Sequence, residues 1–235
     1  MKRVMIGLVA VGVLGIVLLI GGWVYLNMTA GTGEASAAIS APELTPAAAA
    51  EVTVFRIVPE ESEVRFVIDE VLRGSPYTVI GTTDQVAGDL AVDLANPAHS
   101  EVGTIRVNVR TLETDDRNRT RALRSFILKS AEDAYEFAEF QPTAIAGLPE
   151  SVTAGEPFMF QISGDLTVAG TTNPVTFETT ATLDDASRLS GQAVATVQYP
   201  DFKLTIPNVP FVAGVNEDVR LELDFVAQAV DPAES

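Results

Sequence analysis

From residue 52 onward, apolar and polar positions alternate with a period of two. Thr104-Ile105-Arg106-Val107-Asn108-Val109-Arg110 and Arg220-Leu221-Glu222-Leu223-Asp224-Phe225 show it cleanly, and Pro157 to Ile162 more loosely. Successive side chains of a strand point to opposite sides, so each such segment buries one face and wets the other. Further segments lie near 52–58, 63–69, 86–94, 142–147, 174–183, 189–199 and 204–206. Turn-forming positions punctuate them: Gly81, Gly88, Asn96-Pro97, Gly147 to Pro149, Asp184-Asp185 and Pro207 to Pro210. Many short strands with one apolar face predict an all-β antiparallel barrel or sandwich. One stretch departs from the period. Asn118 to Ala131 carries Ala122, Leu123, Phe126 and Ile127 at helical spacing, with Arg119, Arg121, Arg124 and Lys129 between them. That spacing predicts a single amphipathic helix packing its stripe on the sheet, its bases in surface salt bridges.

The N-terminal pattern is different. Val4 to Leu26 is a run of 23 residues without a charge. As a helix it would extend roughly 35 Å, enough for a hydrocarbon core of ~30 Å. Lys2 and Arg3 precede it and Glu34 is the first charge after it. The positive-inside rule then predicts a single-pass anchor with residue 1 cytoplasmic and the rest outside. The rival reading is a signal peptide cleaved at Ala35-Ser36-Ala37; either way the following domain is exported. Residues 27–50 are mostly small or polar and read as a flexible spacer. The expected organisation is anchor 1–26, linker 27–50, barrel 51–230 and tail 231–235.

Charge narrows the partners. There are 15 Lys and Arg against 32 Asp and Glu, a net charge of −17. Such a surface repels nucleic-acid phosphates and anionic headgroups. The absence of cysteine excludes disulfides and thiolate chemistry. His99 is the single histidine, in a turn-like loop, whereas a zinc site needs three or four ligands. Asp115-Asp116, Asp184-Asp185 and Glu217-Asp218 read as solvated turn residues rather than opposed acid and base. No catalytic residue, metal set or cofactor is expected.

Gly164-Asp165-Leu166-Thr167-Val168-Ala169-Gly170-Thr171-Thr172-Asn173-Pro174-Val175 resembles the G-D-L-T signature of the YceI-like family. Phe55 to Phe66, the Leu112-Glu113-Thr114 to Ser125 stretch, Asp201-Phe202 and Asp218 to Leu221 are similar to other family segments in order and spacing. The resemblance covers roughly residues 52 to 229. It implies an eight-stranded antiparallel, lipocalin-like barrel that holds a polyisoprenoid or similar lipid, such as a quinone. Glu61, Glu70 and Ala122 stand where the family often has histidine, Lys203 where it usually has glycine, and Asp116 where it has asparagine.

Alternation places Phe66, Ile68, Val107, Phe158, Phe160, Phe177, Leu223 and Phe225 on inward faces, and the helix adds Leu123, Phe126 and Ile127. These eleven residues are the expected lining of an apolar pocket. The same letters would equally fill a solid core, which would leave an envelope interaction or structural module. Oligomeric state is not legible.

Overall fold

The computed structural model describes residue 24 and residues 31–46, 52–208 and 212–230. Apart from Val24, the expected anchor lies outside the described residues, as does the 231–235 tail. Among the described residues no helix is long and apolar enough to cross a membrane.

The domain is a strongly curled antiparallel sheet. Its strands are β1 (Thr53–Ile57), β2 (Glu63–Leu72), β3 (Ser75–Thr83), β4 (Val86–Ala87), β5 (Asp89–Val92), β6 (Glu101–Val102) and β7 (Ile105–Asn108). There follow β8 (Glu113–Thr114), β9 (Phe137–Ala146), β10 (Pro157–Val168), β11 (Thr171–Asp185), β12 (Arg188–Gln198), β13 (Val212–Ala213) and β14 (Asp218–Ala229). Neighbours run β7-β9-β10-β11-β12-β14, and β14 then pairs with both β2 and β1. The first half of β14 faces β2, from Val219↔Ile68 to Asp224↔Glu63, while its last residues face β1. β3 follows on β2, and the chain beyond it, as β4, pairs back onto β7. The ladder thereby returns on itself.

The count is fourteen strands among the described residues, not the eight expected. Bends explain the difference. A 3₁₀ turn at Pro59–Glu61 divides β1 from β2, and breaks around Asp84-Gln85 and Gly88 divide β3, β4 and β5. β6, β8 and β13 are two-residue pieces added at the edges. The segment 204–206, expected as a strand, is not one, and Gly81 lies inside β3 rather than at a turn.

Two hairpins turn on paired positive-φ residues, Arg73-Gly74 between β2 and β3 and Ala169-Gly170 between β10 and β11. Left-handed geometry at both central positions matches the right-handed twist of flanking strands. The second hairpin holds twelve consecutive cross-strand pairs, from Pro157↔Thr182 to Val168↔Thr171.

The expected 118–131 helix is shorter and changes character. α1 spans Arg117–Ala122, with the Asp116 carboxylate accepting from the amides of Asn118 and Arg119. Leu123–Ile127 continues it as a π turn, in which Leu128 N donates to Leu123 O at 2.9 Å. The wider turn shifts the stripe, so Leu123 and Leu128 are buried and Phe126 is left 38% exposed. Arg124, expected at the surface, is buried beneath the turn, and its Nη2 donates to Leu112 O.

One end of the barrel is solid. Phe55, Leu183, Leu189 and Ala227 are buried there in the main core cluster. Along the outside, the 31–46 part of the expected free spacer is laid against the wall. A β-carbon on Gly31 would meet Ala131 and one on Gly33 would collide with the Arg124 guanidinium, and Ser36 N donates to Glu136 Oε1 at 2.8 Å. Further along, Arg106 donates to Ser40 O and Leu44 N to Asp89 Oδ2.

Candidate functional site

Above the solid end the barrel opens into a cavity of about 750 Å³, within the range of sites that hold a small molecule. Its walls are the inward positions of the long strands. β2 supplies Phe66 and Ile68, β7 Ile105 and Val107, β11 Phe177 and Thr179, and β14 Leu221, Leu223 and Phe225. Phe140 of β9 meets Phe177 edge to face, with ring centroids 5.0 Å apart. Such a pair contributes about 0.5–1.5 kcal/mol beyond area burial and fixes both rings. The roof is the helical segment, through Ala122, Leu123 and Ile127.

Nine of the eleven expected residues line this cavity: Phe66, Ile68, Val107, Leu123, Ile127, Phe160, Phe177, Leu223 and Phe225. Two do not. Phe126 is turned outward by the π turn. Phe158 stands one inward position beyond Phe160, stacked on it with centroids 5.7 Å apart, and belongs to the packing at the solid end. The expectation also missed wall residues. Phe140 and Leu166 alternate correctly but lie on strand segments longer than the periodicity marked. Tyr77 and Val79 come from β3, which the sequence reading passed over because Pro76 and Gly81 interrupt its pattern.

Polarity is confined to a few points. Thr179, on the inward face of β11 between Phe177 and Ala181, is buried and its Oγ1 has no hydrogen-bond partner. At the mouth, the inward end of β2 presents Glu70, whose carboxylate receives Arg119 Nη2 at 3.1 Å. Arg119 Nη1 and the Tyr77 hydroxyl both donate to Asp115, and the Arg119 guanidinium lies 5.3 Å from the Tyr77 ring centroid. These two contacts hold the Asp115 carboxyl below its ordinary value, Tyr77 contributing most. The opposite side of the mouth is apolar, formed by Ile206, Pro207, Val212 and Val215.

His99 is well exposed, its ring near Asp93 and Asn96, and Ser100 Oγ instead accepts from Asp93 N. Among the described residues no three His, Cys, Asp or Glu side chains are grouped to hold a metal.

The YceI-like domain family matches residues 55–227, all but the outermost residues of the curled sheet, together with its roof. The chain belongs to the YceI-like family. Solved structures agree on the fold. BcnA of Burkholderia cenocepacia is similar with a TM-score of 0.57 at 18% identity, over 73% of this chain and 99% of that one. A polyisoprenoid binding domain from Saccharophagus degradans, implicated in plant cell wall breakdown, gives 0.58 at 15% identity, over 77% of this chain and 100% of that one. No curated protein matches the chain. In this YceI-like domain the signature run Gly164 to Val175 is the β10–β11 hairpin, built around the Ala169-Gly170 turn. Glu70 and Ala122, two of the positions at which the resemblance implied histidine, both line the cavity.

Proposed function

We propose that this YceI-like domain binds one long apolar chain, an isoprenoid or a prenyl quinone, inside the barrel and performs no chemistry on it. The observation that carries the reading is the continuous apolar cavity beneath a roof helix, walled by strands whose inward residues leave its centre unfilled. A barrel filled by its own side chains would have closed that space. Likeness to the polyisoprenoid binding domain of Saccharophagus degradans supports the ligand class. We further propose that the 4–26 run tethers the domain to the outer face of the cytoplasmic membrane, which would supply the ligand.

Native mass spectrometry of the full chain released from micelles, compared with an Ala193→Trp variant, tests this. Ala193 is a buried small residue on the cavity wall, so an indole there occupies the ligand's volume instead of an already packed core. The expected result is a discrete lipid adduct, extractable as a prenyl chain, that the variant lacks. A bare mass for both proteins, unchanged by added prenyl lipids, would leave the interaction module as the function.

A further inference from the structure

The charges at the mouth say which head group the chain can carry. Three carboxylates, Glu70, Asp115 and Asp116, and two guanidiniums, Arg73 and Arg119, line the opening. Arg119 is committed to Glu70 and Asp115 and stacked on Tyr77. The helix amides that an anion would seek are already taken by the Asp116 carboxylate. Arg73 stands exposed on the β2–β3 turn. Arg65 and Glu222, further along the wall, pair with each other on the outer face, on the opposite side of β2 and β14 from Phe66 and Leu221. A phosphorylated head seated at this mouth would meet a site with one excess negative charge, on a chain of net charge −17.

Resting on the apolar-chain reading above, we infer that the cavity selects lipids with an uncharged polar head, an alcohol, aldehyde or quinone, and excludes their phosphates and diphosphates. Asn118 lines the same rim with an uncharged carboxamide suited to a hydroxyl or carbonyl. Among the described residues, the other side of the mouth, Ile206, Pro207, Val212 and Val215, is apolar and offers nothing to a phosphate. Glu70 is decisive: its side chain is only 8% exposed and pairs with Arg119 at 3.1 Å, so the guanidinium that a phosphate would need is already matched by a buried carboxylate.

The experiment is a direct competition. The full chain in non-ionic micelles is incubated with equal amounts of a nonaprenyl alcohol and its diphosphate, and native mass spectrometry reads the two adducts. The alcohol adduct should exceed the diphosphate by on the order of tenfold or more. Glu70→Gln with Asp115→Asn should raise the diphosphate share by a similar factor, because Arg119 is then released. Asp115→Asn alone, at a half-exposed residue, should move it in the same direction. A diphosphate adduct equal to or above the alcohol in the wild type overturns the inference while leaving the apolar-chain reading intact. Failure to bind either lipid overturns that reading itself.

Discussion

Gly191 and Phe225 face each other across β12 and β14, and a β-carbon on Gly191 would lie 2.7 Å from Phe225 Cζ and 2.5 Å from the Thr180 carbonyl. The glycine is the floor on which the ring lies, and it gives the cavity wall its width. Gly81 does the same for Phe66 across β3 and β2, although there only ring atoms are in the way. The two positions should therefore respond differently. Gly81→Ala can be relieved by swinging Phe66 into the empty cavity, at a cost of about 1 kcal/mol, the low end for overpacking. Gly191→Ala meets backbone as well and should cost about 3 kcal/mol. Thermal unfolding followed by circular dichroism checks the order; equal losses would mean the Phe66 ring is not free to move.

Thr179 offers the opposite change. Its hydroxyl is buried without a partner, so Thr179→Val removes an unsatisfied group and keeps the shape. The ligand-free variant should gain about 1 kcal/mol of stability. A loss in denaturant midpoint would show that the hydroxyl has a partner, such as a bound water.

Glu136 links the outer segment to the barrel and makes stability depend on pH. Burial favours its neutral form, but the Ser36 amide, Asn108 Nδ2 and the nearby Arg110 outweigh that and hold its carboxyl below the ordinary 4.5. A folded-state value below the unfolded one means the stabilisation is present above about pH 4.5 and is lost as pH falls through the folded value. Glu136→Gln should be less stable than wild type by about 1–3 kcal/mol at neutral pH. The gap should narrow on acidification. A gap independent of pH between neutral and strongly acidic solution would refute the role of the charge.

The segment 31–46 should behave as part of the domain. Its Ser36 and Leu44 amides donate to the Glu136 and Asp89 carboxylates. Hydrogen exchange at these two amides should be slower than at Ala37 and Ala38, for which no such acceptor is present among the described hydrogen bonds. Uniform rapid exchange across the segment would return it to the status of a free spacer.

What the sequence disclosed depended on how local each cause is. Alternation on β10, β11 and β14 follows from one residue pointing in and the next out, so Phe160, Phe177, Leu223 and Phe225 were placed on the cavity wall directly. The resemblance carried by Gly164 to Val175 led to the family that matches residues 55–227. β3 escaped because Pro76 and Gly81 look like turn residues, while Gly81 is there to seat a ring from the neighbouring strand. Phe126 was misplaced because the π turn is decided by packing rather than by the helical period. The depth at which side chains stop filling the barrel, which separates Phe158 from Phe160, depends on the whole cross-section. No local pattern records it.

The path of residues 31–46 fixes more than their own position. They start at Ala131, just past the roof helix, and run towards Asp89 and Arg56 near the solid end. With the proposed tether, any pull from the bilayer is thus applied where the chain meets Ala131, just past the roof helix. From Leu26 to Gly31 the chain can reach at most roughly 18 Å. Under that proposal the domain would stay within this reach of its reservoir, and a lipid would pass between them without the domain leaving the surface. Lengthening the 27–30 stretch would slow the exchange of lipid while leaving its equilibrium occupancy unchanged, because connectivity governs the encounter and the cavity governs the hold.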